Sequence, residues 1–293
     1  MTFKENNSSN TYVKKLSKVK ITSADSVTVC ITNHIIDVTV KRKQNTVGLR
    51  DIVKVDKDHY MIISTGEIKE YSHSKNQSNK ISNNRRKCMN KKFSYLRQFI
   101  NTNFKGEDCE RHITLTYGNP TKEMAKAKSD FKKFWKRFVY RYGDMEYIAV
   151  FEPHKSGAWH IHVLVKNKSG KTLNLSKKEV EQIWKNGFVK ITRLNHDDIG
   201  GYFRNLLGQE DISDKKKKSA RLDYYPLHAK IYTSSKGMSE PSLLHTDEEG
   251  VKEIVGDRKP CFEQGYSIRM CDTNWEVNRI GHITYNDKKN PYN

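Results

Sequence analysis

Two apolar segments separated by a short polar loop constrain the fold of this chain more than any other feature. Residues 145–152 and 159–165 are both rich in β-branched and aromatic residues, which favour strands. Between them stand Pro153, Ser156 and Gly157, which are residues typical of turns. The pattern therefore predicts a β-hairpin in the middle of the chain.

His160 and His162 are the most informative side chains of this hairpin. Because side chains alternate along a strand, both imidazoles point to the same face. If Glu152 pairs with His160, its carboxylate joins them there. Two neutral imidazoles and one carboxylate suit a divalent cation with positions left open for substrate. The alternative is a polar face that meets only water, and Ile161 and Val163 pack the opposite face under either interpretation.

The charge of the chain indicates its partner. The 293 residues include 54 Lys and Arg against 34 Asp and Glu, which gives a formal net charge of +20. A balance this basic favours a polyanion, most simply nucleic acid. A membrane surface is the rival partner, but no stretch is long and apolar enough to span a bilayer. The first ten residues lack an apolar signal segment, so we expect a soluble cytoplasmic protein.

The cysteines indicate neither a zinc ribbon nor a disulfide framework, because no CxxC pair occurs and their number is odd. Cys109 and His112 have a ligand-like separation, which we interpret as incidental. The five cysteines are scattered along the chain at Cys30, Cys88, Cys109, Cys261 and Cys271.

The first 87 residues are predicted to form a β-rich region. Residues 1–20 are polar and basic and predict a loose arm. Residues 72–87 have few apolar side chains and are interpreted as a linker. We therefore divide the chain into an N-terminal region, 1–87, and a larger domain with a C-terminal extension, 88–293. The predicted N-terminal strands either form a small sheet or extend the main one, and they cover residues 27–31, 35–40 and 60–63.

From residue 88 onward, the hydrophobic spacing alternates between the periods of helices and of strands. Asn119 is expected to cap the second helix with Pro120 at its first position, and Ser176 with Glu179 forms a capping box. The order predicts an α+β fold, with a central antiparallel sheet and helices packed on one face. The predicted elements are helix 88–104, strand 112–117, a helix to residue 142, the hairpin, helix 177–185, strand 188–191, a helix over 196–207 capped near Asn195, and strands 264–270 and 280–285.

The helix that ends at Tyr142 separates an aromatic stripe, predicted as core, from a basic face. That face is either merely solvated or follows DNA phosphates. Residues 215–218 are four lysines, predicted as a flexible basic loop that holds flanking phosphates. The predicted DNA contacts are Lys132, Lys133, Lys136, Arg137 and, on a later helix, Arg204.

Tyr202 is a candidate nucleophile. It follows Gly200 and Gly201, which weaken a helix and allow close approach of a backbone or of DNA. A phenol that attacks phosphorus leaves a covalent phosphotyrosine, which keeps the energy of the cleaved link for rejoining. On residue pattern alone, Tyr202 is more often a packed aromatic, and a metal-bound water is the other candidate nucleophile.

The chain resembles the rolling-circle replication initiators, the Rep proteins of bacterial plasmids and filamentous phages in the HUH superfamily. The likeness rests on Glu152, His160 and His162, on Thr114–Tyr117 before them and on Tyr202 after them, and it covers about residues 90–210. It implies that the two histidines and the glutamate hold Mg²⁺ or Mn²⁺ on an RRM-like palm. It further implies that Tyr202 nicks one strand at the origin, leaving a 3′-hydroxyl primer and a 5′-phosphotyrosyl link.

Two positions depart from that family. Many members have a lysine where this chain has Asn205, so Arg204 or a lysine elsewhere is expected to supply the positive charge. Some members have a second tyrosine where this chain has Leu206, which implies a mechanism with one tyrosine. The fallback nucleophiles are Tyr224, Tyr225 and Tyr232.

Two other functions remain open. A relaxase or transposase of the same superfamily uses the same chemistry, although relaxases usually place the tyrosine before the histidines. A non-catalytic DNA-binding regulator needs only the basic faces. For the favoured function we expect single-stranded or extruded origin DNA as partner. Because no P-loop is present, a host helicase is expected to act with the protein, as is a host polymerase.

Overall fold

The structure is a computed structural model that describes residues 11–42, 52–56, 59–62, 66–70, 77–154, 156–207, 224–226 and 229–289. In chain order the strands are β1 (Thr11–Leu16), β2 (Asp25–Ile31), β3 (Ile35–Arg42), β4 (Ile52–Lys54), β5 (His59–Ile62), β6 (Ile68–Glu70), β7 (Glu110–Tyr117), β8 (Met145–Pro153), β9 (Trp159–Asn167), β10 (Gly187–Thr192), β11 (Tyr232–Ser234), β12 (Ser242–Thr246), β13 (Phe262–Met270) and β14 (Glu276–Asn286). The helices are α1 (Gln77–Asn103), α2 (Met124–Tyr142), α3 (Lys177–Trp184), α4 (Ile199–Leu206) and α5 (Glu248–Val255).

The central element is a five-stranded sheet in the order β10-β7-β9-β8-β11, in which every neighbouring pair is antiparallel. The predicted hairpin forms its middle as β8 and β9. Both faces of these strands are apolar, as shown by Phe151 and Ile161 on one face and Leu164 on the other, all fully buried. A sheet of this kind must be covered on both sides.

Helices cover both faces of the central sheet. On one face, Phe131 of α2 packs against Phe151, and Trp184 of α3 packs against Tyr117. On the opposite face, Phe99 of α1 lies 5.8 Å from the Tyr232 ring. The α+β prediction is confirmed, whereas the expectation of helices on only one face is wrong, because the sheet offers two apolar faces rather than one.

A second sheet joins distant parts of the chain. Its six strands lie in the order β1-β13-β14-β3-β2-β12, so strands near residue 30 pair with strands beyond residue 240. Valines of β2 and β3 pack there against Val251 and Val255 of α5. The predicted N-terminal strands are confirmed and form this separate sheet, while β4, β5 and β6 form a third. The division at residue 87 stays a prediction.

Three predicted boundaries are wrong. Strand β1 lies within the supposed loose arm, where it pairs with β13, and α1 begins at Gln77 within the supposed linker. Helix α2 begins at Met124 after Glu123, not at Asn119 and Pro120. In contrast, the Ser176 side chain accepts a hydrogen bond from the Glu179 N–H, as the capping box predicts. The lysine run 215–218 lies outside the described residues.

Candidate active site

The site lies on one face of the central sheet, at the paired strands β7, β8 and β9. Glu152 is paired with His160, as the hairpin pattern predicts, and Thr114 is paired with His162. Alternation then places these four side chains, together with His112, on the same face. This is the face that α1 and α4 cover only in part.

His162 occupies the centre of this face. It is buried, and its Nε2 lies 2.8 Å from Oε2 of Glu152. On its other side, Nδ1 of His162 lies 3.2 Å from Nε2 of His112. Both nitrogens of the His162 ring therefore have partners, and one of these partners, Glu152, is itself a predicted metal ligand.

His160 lies further out, half-buried, with its ring stacked on that of His154 at a centroid separation of 5.5 Å. All ligands of one Mg²⁺ lie within about 4.2 Å of one another, because each bond is about 2.1 Å long. The three predicted ligands are not gathered this closely. Side-chain movement is therefore needed before Glu152, His160 and His162 can share one cation.

The chemistry of the donor set nevertheless fits Mg²⁺ or Mn²⁺. Neighbouring ligands of an octahedral Mg²⁺ are about 3 Å apart, and the spacing of 2.8 Å between Glu152 Oε2 and His162 Nε2 is close to that value. A carboxylate with imidazoles suits Mn²⁺ equally. Another cluster, formed by Glu107, Cys109 and Glu110, brings ligand atoms within 4.8 Å of one another. Its central carboxylate, that of Glu110, already accepts hydrogen bonds from three successive backbone N–H groups of residues 105–107, which explains its burial.

His112 is a site residue that the sequence analysis missed. It is buried, its Nδ1 lies 3.4 Å from Oγ1 of Thr192, and Phe203 packs edge-on against its ring at 4.9 Å. Burial lowers the pKa of His112 to about 3, and the neighbouring His162 adds to this effect, so the ring is neutral at physiological pH. The available signal was its position in the alternating strand before Thr114, whereas its spacing from Cys109 drew attention elsewhere.

Tyr202 lies above this cluster on α4. Its ring is stacked on His196 at 4.1 Å and lies 6.3 Å from the His112 ring. The rings of Tyr202, His112 and His162 therefore form a continuous series of contacts. The structure brings the predicted nucleophile to the same face as the predicted ligands, one ring away from His162.

The first turn of α4 is fixed against α1. Asp198, rather than the expected Asn195, caps the helix by accepting a hydrogen bond from the Gly201 N–H. The same carboxylate binds Arg97, and the Gly200 N–H donates to Asn101 Oδ1 at 2.7 Å. Gly200 is required because a Cβ at this position would lie 2.1 Å from the Arg97 carbonyl oxygen. The close approach expected of these glycines is thus to the backbone of α1.

The predicted DNA contacts divide between two surfaces. Lys132, Lys133 and Lys136 are exposed on α2, which covers the face opposite the histidines. Arg137 is half-buried and donates from Nε to the Ile183 carbonyl oxygen, so it joins α2 to α3. The structure does not bring these four cations next to the histidine face.

Arg204 instead lines a groove of about 1030 Å³ between the six-stranded sheet and helices α1 and α4. Its Nε is buried without a hydrogen-bond partner among the described residues. Burial lowers the pKa of Arg204, and nearby Arg97 has the same effect. The lysines Lys41, Lys91 and Lys289 also line the groove, so it carries an excess of positive charge over Asp37 and Asp198.

The fallback tyrosines occupy different environments. Tyr225 is buried and its hydroxyl donates to the Phe151 carbonyl oxygen at 2.7 Å, which is a structural role. Tyr232 packs between β8 and Phe99. Tyr224 is exposed beside Gly157 at the tip of the hairpin. Of the three, Tyr224 is the one available to a substrate.

Residues 110–210 match the model of a family of replication-associated proteins, the ORF2 type. The match begins at β7 and extends past α4, so it includes His112, Glu152, both predicted ligand histidines and Tyr202. No curated protein and no solved structure shows significant similarity to the chain. The matched segment is consistent with a role in the initiation of replication. No described helix has the length and apolar character needed to cross a bilayer.

Proposed function

We propose that this protein nicks and rejoins single-stranded DNA through a phosphotyrosine at Tyr202 and thereby initiates rolling-circle replication. The observation that supports this most directly is the arrangement around His162. Its Nε2 faces the Glu152 carboxylate at 2.8 Å, and His112 links it to the Tyr202 ring. The family match of residues 110–210 supports the link to replication.

The residues divide the chemistry between them. Glu152, His160 and His162 would hold Mg²⁺ or Mn²⁺, which when bound withdraws charge from a non-bridging oxygen of the scissile phosphate. His112 keeps the His162 ring oriented toward Glu152 through the contact at 3.2 Å. The Tyr202 oxygen forms a bond to phosphorus as the bond to the 3′-oxygen breaks. The phenol loses its proton, and the departing oxygen gains one to become the 3′-hydroxyl.

The test is covalent capture. The full chain is incubated with Mn²⁺ and a pool of single-stranded oligonucleotides, including the origin of the replicon that encodes it, and adducts that survive denaturing gels are sequenced. We expect an adduct with the wild type, none in EDTA, and none with Tyr202→Phe. Tyr140→Phe is the matched control, because this tyrosine is almost fully exposed on α2. An adduct of undiminished yield with Tyr202→Phe contradicts the assignment and directs attention to Tyr224.

A non-catalytic DNA-binding regulator is the second candidate. It is favoured by the exposed lysines of α2 and by the separation of His160 from the other two predicted ligands. The two functions differ in their need for metal. If the protein is a nickase, replacing His160 and His162 with Ala abolishes the adduct and leaves DNA binding in EDTA intact. A regulator binds DNA in EDTA and forms no adduct in any variant.

A further inference from the structure

An exposed aromatic side chain shares the histidine face. Phe188 on β10 is 67% exposed, although neighbouring Val189 is buried. Phe188 pairs with Thr116, which pairs with His160, which pairs with Glu152. These four residues therefore form one row across four adjacent strands, from the edge of the sheet to the predicted metal ligands.

The direction of the β10 side chains is fixed by a contact. Thr192, four residues after Phe188, reaches His112 on the histidine face at 3.4 Å. Since residues two and four apart on a strand share a face, Lys190 and Phe188 point the same way. Lys190 is exposed, and its charge also contributes to the lowered pKa of His112, which places it near that ring.

The spacing suits a single strand of nucleic acid. Strands lie about 4.8 Å apart, so Phe188 is about 10 Å from His160 along the row. This is of the order of one or two nucleotides of an extended strand. Exposed aromatic rings on a sheet bind unpaired bases by stacking, and a neighbouring lysine neutralises the adjoining phosphate. Helix α4 covers the row of Thr192 and His112, whereas the row of Phe188 is left open.

We infer that the row from Phe188 to Glu152 is a binding surface for single-stranded DNA, in which a base near the scissile phosphate stacks on Phe188 and Lys190 contacts the intervening backbone. The position of the scissile phosphate in this inference rests on the proposed function. The affinity of the surface for a single strand does not depend on cleavage. The two can therefore be tested separately.

The experiment measures binding of fluorescently labelled single-stranded DNA to the full chain in EDTA, where no cleavage occurs. Phe188→Ala is expected to raise the dissociation constant about 5- to 150-fold, the effect of removing one base-stacking ring. Phe188→Trp is expected to retain affinity. Tyr140→Ala is the matched control, since it removes an exposed aromatic ring from the opposite side of the sheet. Fully base-paired DNA is expected to bind both alanine variants as it binds the wild type.

Unchanged single-strand affinity in Phe188→Ala overturns the inference, and so does an equal loss in Tyr140→Ala. A second measurement locates the stacked base. Abasic sites are placed one at a time along the oligonucleotide, and the harmful position is expected to lose its effect in Phe188→Ala, because the two changes remove the same contact. If the wild type binds in this manner but forms no adduct with Mn²⁺, the proposed nuclease activity fails while the binding surface stands.

Discussion

Substitution of Gly200 by Ala tests whether the contact between α4 and α1 positions Tyr202. The added Cβ would lie 2.1 Å from the Arg97 carbonyl oxygen and 2.8 Å from two further backbone atoms of that residue. An ordinary contact needs at least about 3.4 Å, so the helices must separate by about 1 Å or more. All of these obstacles are backbone atoms, and none can turn aside.

The energetic terms oppose one another. Alanine is favoured over glycine within a helix by about 1 kcal/mol. Overpacking costs about 1–3 kcal/mol, and loss of the hydrogen bond from the Gly200 N–H to Asn101 costs about 1 kcal/mol more. We expect a net loss of about 1–3 kcal/mol, which lowers the melting temperature by roughly 3–10 °C. A displacement of 1 Å at the nucleophile lowers the rate of adduct formation about 100-fold.

The assay combines thermal unfolding with the time course of adduct formation below the melting temperature of the variant. Gly118→Ala is the matched control, because its Cβ would meet nothing closer than 3.7 Å. If Gly200→Ala forms the adduct at the rate of the wild type and melts at the same temperature, α4 is not held in the way described. If stability falls and the rate does not, the contact stabilises the fold without positioning Tyr202.

Three further outcomes are expected. The folded pKa of His112 is about 3 against 6.5 when unfolded, so stability is full above pH 6.5 and falls by up to about 1.4 kcal/mol per pH unit toward pH 3; His112→Phe should flatten this slope in denaturant titrations. Arg97→Met leaves the buried carboxylate of Asp198 without its cation and should lower the free energy of unfolding by about 3–5 kcal/mol, measured in urea. Arg204→Gln should weaken DNA binding and reduce its salt dependence by about one ion, whereas Lys136→Gln, on the opposite face, should leave adduct formation unchanged.

The site could be predicted in part because strand alternation is a local property. The pairing of Glu152 with His160 followed from two apolar runs and a loop of known length, and the structure confirms it. The importance of His112 could not be recognised in the same way. Its partners, His162 and Thr192, are 50 and 80 residues away, and only the pairing of β7 with both β9 and β10 brings them together.

The helix boundaries show the same limit. Asn119 and Pro120 are favourable start signals, yet the chain delays α2 to Met124, where residues 121 and 122 first hydrogen-bond to Trp159. Likewise, Asp198 caps α4 in preference to Asn195 because it also binds Arg97. In both cases a tertiary contact selects between local signals of similar strength, and sequence periodicity does not contain that contact.

The six-stranded sheet has a consequence for how the molecule is made. Strands β2 and β3 acquire their neighbours β12 and β14 only after some two hundred further residues have left the ribosome. The strands that hold the histidines, β7 to β10, all lie between residues 110 and 192. During synthesis, the histidine face can therefore assemble while the early strands still wait for their partners, and completion of the outer sheet becomes a late, slow step of folding.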